Sequence, residues 1–263
     1  MSDQEYLIYE VKGRVATITI NRPDKAHAFT IEMLMTLYEM LNKADESEKV
    51  KCIIIKSTGE RFFSAGYDLK QIQGDPESVK KVTVWGRKIN EKIMQMKKTV
   101  ITQIQGIAVG FGVLMMVASD LRIFADRPKE ELYIRLPELI ISAFPQTGAT
   151  LMPLLAFGFS NAKKFLFTGD SIGLEELKNI NFPTRIFPME TLDEDTFLFA
   201  KELCKIQTPF LFFTKVMLTM MNKAYIKSCM DLEDECGKIA YGEKKTMKEL
   251  EDIIQDLYKR YPS

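Results

Sequence analysis

Apolar and polar residues alternate in two short runs at the start of the chain. The runs lie in EYLIYEVKGRVATITINRP, on either side of Lys12 and Gly13. Alternation with a period of two predicts strands, and the turn residues between the runs predict a β-hairpin. Pro23 ends the second strand, and the stretch that follows, TIEMLMTLYEMLNKADES, has apolar residues at helical spacing.

Strand and helix patterns then alternate as far as about Thr147. The segment VKCIIIKST is continuously apolar, which is typical of a strand buried on both faces. It is followed by a helical pattern near 78–96, the strand VITQIQG, a buried helix after Gly110 and the strand LRIFA. This order predicts an α/β fold with a partly parallel sheet.

The pattern changes after Thr147, where helices dominate. Amphipathic helical spacing is present in TPFLFFTKVMLTMMNKAY and TMKELEDIIQDLYKRYP, and only TRIFP predicts another strand. We therefore predict two parts, an α/β core over residues 1–200 and a C-terminal helical region over residues 201–263.

Composition excludes several classes of protein. Of 263 residues, 36 are basic and 36 acidic, so no net charge favours nucleic acid or an anionic membrane. The four cysteines lack zinc-motif spacing and there is one histidine, so we predict no metal site. The cysteine pattern fits a reducing compartment, and no apolar stretch forms a signal core or reaches the ~20 residues of a membrane span. We predict a cytoplasmic globular protein that binds neither nucleic acid nor a membrane.

Two glycines interrupt an apolar run in VGFGVLMMVASD, from Val109 to Asp120. This pattern predicts a buried helix whose first turn closely approaches a ligand or another backbone. Three loops follow predicted strands, namely RPDKAHAFT, GERFFSAGYDLKQI and QGIAVGFG. Ligands of α/β proteins bind where such loops meet, and amides from two glycine-bearing loops can hold an anionic oxygen. Neither loop has a dinucleotide- or triphosphate-binding sequence.

At these three loops the chain resembles the crotonase superfamily, the enoyl-CoA hydratase/isomerase family. The resemblance is carried by NRPDKAHAFT, FFSAGYDLKQI and QIQGIAVGFGVLMMVASDLRIFAD. Three later segments, LPELIISAFP, GFSNAKKFLFTGDSIGLEEL and LYKRYP, are similar to family segments in the same order. The resemblance therefore covers nearly the whole chain.

The resemblance implies a fold, a substrate class and an assembly. The fold would be a crotonase-like α/β spiral of βαβ turns with a helical C-terminal trimerisation region that covers the active site. The substrate would be an acyl-CoA thioester, with coenzyme A as part of the substrate and no bound prosthetic group. The assembly would be a homotrimer or a hexamer made of two trimers.

The family shares an oxyanion hole for the thioester oxygen. Matched by position, its two donors are the backbone N–H groups of Tyr67 and Phe111, and the glycines beside them would leave room for the thioester. Phe111 stands where family members often have glycine, so its side chain is expected to narrow the pocket. Other residues at substrate- or CoA-binding positions are Lys25, Ala26, Ala28, Ala65, Gly66, Asp68, Leu69, Gly110 and Leu114.

The number of catalytic carboxylates distinguishes the reactions that members of the family catalyse. Typical hydratases have two glutamates, but here the position in the buried helix is Leu114 and only Glu138 is kept. Leu136, Leu139 and Ile140 surround Glu138 in sequence, so desolvation is expected to raise its pKa. A single base that moves one proton suffices to shift a double bond, which favours isomerisation of a 3-enoyl-CoA to a 2-enoyl-CoA.

Other functions stay open from the sequence. They are hydration (a lyase reaction), decarboxylation of an acyl-CoA or of an acyl group on a carrier protein, and a non-catalytic binding module.

The roles of several single residues are also open from the sequence. His27 is expected to hydrogen-bond loop backbone, with a position facing the ligand as the alternative, and Asp68 either caps the helix at Leu69 or contacts the ligand. Lys25, Lys70 and Lys259 either meet coenzyme A phosphates or are simply solvated.

Overall fold

A computed structural model describes residues 6–72, 76–220, 223–242 and 246–260. The strands are β1 Leu7–Lys12, β2 Val15–Ile20, β3 Cys52–Ser57, β4 Phe62–Ser64, β5 Thr99–Ile104, β6 Ile107–Val109, β7 Leu121–Ala125, β8 Tyr133–Arg135, β9 Ile172–Gly173 and β10 Arg185–Phe187. The helices are α1 Ile31–Glu46, α2 Leu69–Ile72, α3 Pro76–Gln95, α4 Phe111–Ala118, α5 Leu151–Phe157, α6 Phe159–Thr168, α7 Leu174–Asn179, α8 Leu192–Leu203, α9 Thr208–Met220, α10 Lys223–Ala240 and α11 Met247–Arg260. A short 3-10 helix spans Pro23–Lys25.

The strands form two sheets. The larger sheet has the order β1-β2-β3-β5-β7-β10, in which only the β1–β2 hairpin is antiparallel. The smaller sheet has the order β4-β6-β8-β9, in which β4, β6 and β8 are parallel. Each of β3, β5 and β7 in the larger sheet is followed along the chain by one strand of the smaller sheet. The chain therefore winds as a spiral, with one strand from each sheet in every turn.

The predicted α/β architecture is confirmed. The hairpin, α1, the buried strands and TRIFP, which forms β10 at the edge of the larger sheet, all occur where their patterns predict them. The four strands of the smaller sheet were not predicted. The strands β4 and β6 lie in segments interpreted as loops, and β4, β6, β8 and β9, with two or three residues each, are too short for a readable periodicity. Helix α8 runs across residue 200, and the division of the chain at that point stays a prediction.

Helix α4 lies at the centre of the core. Seven of its eight residues are buried, and its apolar character is not confined to one face. A helix that is apolar all round is stable only when protein surrounds it. Its position fixes where the loop before it can place a backbone amide.

The C-terminal part of the chain is docked onto the core by charged groups. Arg87 on α3 forms ion pairs of 2.6 Å with Asp231 and with Asp234 on α10. Glu233, also on α10, is buried and accepts hydrogen bonds from the backbone N–H groups of Gly148 (2.6 Å) and Thr150 (2.8 Å). Helix α10 therefore holds the 147–150 loop in place.

A membrane-spanning helix and a cluster of three possible metal ligands are both absent from the described ranges. No helix there combines the length and the apolar composition needed to cross a bilayer. No three histidine, cysteine, aspartate or glutamate side chains in that part of the chain are grouped as a metal site would require.

We predict that Glu233→Ala lowers the free energy of unfolding by about 2–4 kcal/mol, because it leaves the buried Gly148 N–H and the partly buried Thr150 N–H without their acceptor. Urea unfolding followed by circular dichroism measures the change. Glu202→Ala is the matched control. Glu202 forms only an exposed i,i+3 pair with Lys205, so its loss should cost less than ~1 kcal/mol. Equal costs for the two variants would contradict a docking role for Glu233.

Candidate active site

The first amide of interest belongs to Tyr67, in the loop after β4. A parallel bridge joins this loop to Phe29, in which the Phe29 N–H donates to Gly66 O (2.8 Å) and the Asp68 N–H donates to Phe29 O (2.9 Å). Because successive residues of an extended chain point in opposite directions, the Tyr67 N–H faces away from Phe29. It donates no hydrogen bond to any group in the described part of the chain.

The second amide belongs to Phe111, the first residue of α4. The N–H groups of a first helical turn have no acceptor within the helix. Val113 and Leu114 donate to Gly110 O, at 2.9 and 3.1 Å, whereas the Phe111 N–H has no acceptor among the described residues. It is thus a second available donor at the positive end of a buried helix.

Two glycines, which have no Cβ atom, allow the segments that carry these amides to approach each other closely. A Cβ atom at Gly66 would lie 2.9 Å from Val109 O and 3.1 Å from Phe111 N, and Gly66 has a φ of +88°. A Cβ atom at Gly112 would lie 2.8 Å from the Ser64 Cβ. The expectation that these glycines leave room for a thioester is wrong for Gly112, because the Ser64 side chain and backbone occupy that space. The close approach is between two segments of the protein itself.

Glu138 lies beside this pair of amides. Its Oε1 atom is 3.5 Å from the position that a Cβ of Gly110 would take, and Gly110 has a φ of +54°. Its Oε2 atom is fully buried and has no hydrogen-bond partner in the ranges that the structure describes. Desolvation by burial raises the pKa of Glu138 to about 7, against a small opposing effect of its own backbone N–H. The expected rise in pKa is therefore present.

Of the three apolar residues that were expected to bury Glu138, only one is itself buried. Leu136 is buried, but Leu139 and Ile140 are 42% and 55% exposed. The segment after Pro137 is a turn, in which the Ile141 N–H donates to Pro137 O (3.1 Å), and this turn directs the two side chains outwards. Glu138 is instead desolvated on the side of Gly110 and of the Tyr67 ring, whose pKa the carboxylate helps to raise.

Leu114 lies in α4 at the position where the resemblance implies a second carboxylate in hydratases. It is 2% exposed and belongs to the main hydrophobic core, as its apolar neighbours predicted. Among the described residues the site therefore has the partly buried carboxylate of Glu138 at one position and an aliphatic residue at the other.

The other predicted binding residues lie either near the two amides or at the protein surface. Ala26, Ala28, Ala65 and Gly66 are near the two amides, and the Ala65 N–H donates to Ala26 O (2.9 Å). Lys25 and Leu69 are exposed at the surface of the same loops. Lys70 is exposed as well, and Lys259 is exposed on α11. The end of LYKRYP, residues 261–263, lies outside the described residues.

Asp68 is engaged within the protein. One carboxylate oxygen pairs with Arg22 Nη1 (2.7 Å), and the other accepts from the Lys70 N–H (3.1 Å) at the start of α2. Of the two roles open from the sequence, this geometry fits the cap.

His27 has the role expected for it. Its Nδ1 accepts from the Arg22 N–H (3.1 Å), and its Nε2 lies 2.9 Å from Thr58 O. A carbonyl can only accept, so Nε2 carries the proton and the ring is neutral. Burial also lowers the pKa of His27. Both ring nitrogens form hydrogen bonds with backbone groups. His27 therefore stabilises the first loop.

Three further residues complete the site, and the sequence did not indicate them. The Tyr67 hydroxyl lies 3.1 Å from the Thr147 hydroxyl, and the space beside Gly86 on α3 is filled by the Tyr67 and Phe111 side chains. Asn90 donates to Thr147 O (3.1 Å). These contacts join segments that are distant in sequence, and no local sequence pattern predicts them.

Comparison with known proteins identifies the family of the chain. The sequence profile described as enoyl-CoA hydratase/isomerase matches residues 10–248. The Bacillus subtilis protein YngF is 31% identical over 176 residues, which are 66% of each chain. A mitochondrial enoyl-CoA hydratase of Pongo abelii is 30% identical over 206 residues, which are 76% of this chain and 68% of that protein.

A solved structure supports the fold. The crystal structure of an enoyl-CoA hydratase from Bacillus halodurans superposes with a TM-score of 0.82 at 20% identity, covering 90% of this chain and 96% of that one. The fold is thus the crotonase fold. The chain belongs to the enoyl-CoA hydratase/isomerase family.

We predict that Gly66→Ala destabilises the protein more than Gly59→Ala does. Both glycines have positive φ, so alanine should cost about 1 kcal/mol at either position. A Cβ at Gly59 meets open space, whereas at Gly66 it meets the backbone of residues 109–111 and should add ~1–3 kcal/mol. The free energies of unfolding of both variants measure the difference. If the costs are equal, the loops are not in close contact.

We predict that the protein loses stability relative to Glu138→Gln as the pH rises from about 4.5 to 7. The folded state raises the pKa of Glu138, so it binds this proton more tightly than the unfolded chain and loses that advantage as the group ionises. The expected difference is on the order of 2 kcal/mol. Urea unfolding of both proteins at pH 5 and pH 8 measures it. A constant difference would show that Glu138 is not desolvated.

Proposed function

We propose that this protein is an enoyl-CoA isomerase that converts a 3-enoyl-CoA to a 2-enoyl-CoA, with Glu138 as its single acid and base. One observation carries the proposal. A partly buried carboxylate with a pKa of about 7 lies beside two backbone N–H groups that have no acceptor among the described residues, while Leu114 occupies the position of a second carboxylate.

The thioester oxygen would accept hydrogen bonds from the Tyr67 and Phe111 N–H groups. Glu138 would remove a proton from carbon 2, the electrons would pass to the thioester oxygen, and the resulting dienolate would be held by the two amides. Glu138 would then return the proton to carbon 4, which leaves the double bond between carbons 2 and 3. One well-placed donor of this kind lowers a barrier by about 3 kcal/mol.

The pKa of Glu138 suits both halves of this reaction. At neutral pH about half of the molecules have an ionised carboxylate that can accept the proton. A carboxyl group with a pKa near 7 also holds that proton well enough to deliver it to a different carbon. A carboxylate with an ordinary pKa would be a weaker base at the first step.

Hydration is the second candidate, because the Pongo abelii relative is named as a hydratase. Addition of water requires one group to activate the water and another to deliver a proton to the substrate. Two carboxylates do this in a typical hydratase, and here Leu114 supplies neither function. Isomerisation needs only the carboxylate that is present.

We also propose that the chain forms a homotrimer, or a hexamer of two trimers. Support comes from α9, on which Phe210, Phe213, Met217 and Leu218 are exposed. Apolar surfaces of this extent usually mark protein contacts. A cytoplasmic location stays a prediction from the cysteine content.

The reaction is tested with trans-3-hexenoyl-CoA and crotonyl-CoA, by following the absorbance of the conjugated enoyl thioester. We expect a rise with the 3-enoyl substrate and a loss of at least about a thousandfold in kcat for Glu138→Gln, since the only base is removed.

The matched control is Glu130→Gln, which changes an exposed carboxylate in the loop before β8 and should leave kcat unaltered. A fall in crotonyl-CoA absorbance, with no reaction of the 3-enoyl substrate, would establish hydration and overturn the argument from Leu114.

A further inference from the structure

The two residues that offer free amides also have aromatic side chains, and these pack on each other. The Tyr67 and Phe111 rings are stacked, with centroids 4.9 Å apart and an angle of 12° between their planes. The Phe29 ring contacts Phe111 edge-on at 5.3 Å. Phe111 is 1% exposed. Neither amide role requires an aromatic side chain, so the pair calls for a separate explanation.

The stacked pair reaches as far as the backbone of α3. A Cβ atom at Gly86 would overlap the Tyr67 hydroxyl and would lie 3.1 Å from Phe111 Cε2. Any residue larger than glycine would therefore collide with the rings. The space between the two amides and α3 is filled by these side chains.

Hydrogen bonds hold the Tyr67 ring in this position. Its hydroxyl lies 3.1 Å from the Thr147 hydroxyl, and burial raises the pKa of Tyr67. Thr147 has a φ of +70°, which is uncommon for a threonine, and Asn90 donates to its carbonyl at 3.1 Å. Glu233 fixes the next turn of this loop through Gly148 and Thr150. The ring is thus locked in place and is not a mobile gate.

We propose that the stacked Tyr67–Phe111 pair closes the acyl end of the site and restricts the enzyme to short acyl chains. The inference rests on the proposed acyl-CoA function. The rings extend from the residues whose amides would hold the thioester, and the Glu138 carboxylate is close enough to affect the titration of Tyr67. An acyl chain bound with its carbon 2 at Glu138 meets the rings within a few carbons.

The physical basis is the cost of displacing packed aromatic rings. In an open apolar pocket, each added methylene that is buried should improve affinity by about fourfold. Here a longer chain has to separate two stacked rings and break the bond to Thr147. The affinity gain per methylene should therefore end after about two to four acyl carbons beyond the thioester carbonyl.

The test measures binding of saturated CoA esters, which needs no turnover. Isothermal titration calorimetry with butyryl-, hexanoyl-, octanoyl- and decanoyl-CoA gives the ratio of decanoyl to butyryl affinity. The proteins are the natural chain, Tyr67→Ala and Phe111→Ala, each of which keeps its backbone N–H. Tyr67→Phe is the matched control, because it keeps the ring and removes only the hydroxyl.

We expect no gain from butyryl- to decanoyl-CoA in the natural protein and a gain of at least about tenfold in either alanine variant. Tyr67→Phe should gain less than either alanine variant, because the stacked rings remain and only the bond to Thr147 is lost. Because a ratio is compared, a general weakening of binding does not affect the result, and thermal melting checks that each variant folds.

Three outcomes contradict the inference or the function. A natural protein that gains about fourfold per methylene, or alanine variants with an unchanged ratio, would overturn the role of the rings. Absence of binding for every ester would overturn the acyl-CoA function together with the inference. Short-chain selection without isomerisation of 3-butenoyl-CoA, whose acyl chain ends within the expected limit, would support the inference and overturn only the isomerase reaction.

Discussion

The candidate site depends on the contact between two backbone segments, residues 64–67 and the start of α4. Pairing of β4 with β6 brings the segments side by side, and Gly66 lets them meet without a side chain between them. Each segment then presents a backbone N–H group, that of Tyr67 or that of Phe111, which has no acceptor among the described residues, and the two groups come from adjacent turns of the spiral. A methyl group at Gly66 would separate the amides, so the geometry of the whole site is limited by one missing Cβ atom.

The next turn of the spiral adds the carboxylate. Pairing of β6 with β8 aligns Val109 with Arg135, so the chain after β8 passes beside Gly110 and delivers Glu138 there. Burial between these turns is what raises the pKa of Glu138. Successive turns thus supply an amide, a second amide and a carboxylate with a raised pKa. The geometry of the candidate site therefore follows from the repetition of one structural unit, and the C-terminal helix α10 stabilises it through the 147–150 loop.

Several parts of the site could be predicted from local sequence. The apolar run after Gly110 identified a buried helix and correctly assigned Leu114 to the core. The short polar loop around His27 predicted backbone hydrogen bonds, which are present. These features are decided by neighbours within one turn or one strand, where hydrophobic periodicity and side-chain chemistry are informative. The resemblance of the loops to a known family added the positions of the two amides.

The sequence by itself determined the strands of the larger sheet and the helices between them, the carboxylate of Glu138 and the glycines at the start of α4. The tertiary structure decided which atoms occupy the space that those residues leave. It placed Ser64 against Gly112, turned Leu139 and Ile140 to the surface, and joined Tyr67 to Thr147. The physical reason is that burial and close packing depend on the partner segment. That segment lies far away along the chain, whereas periodicity describes only neighbouring residues.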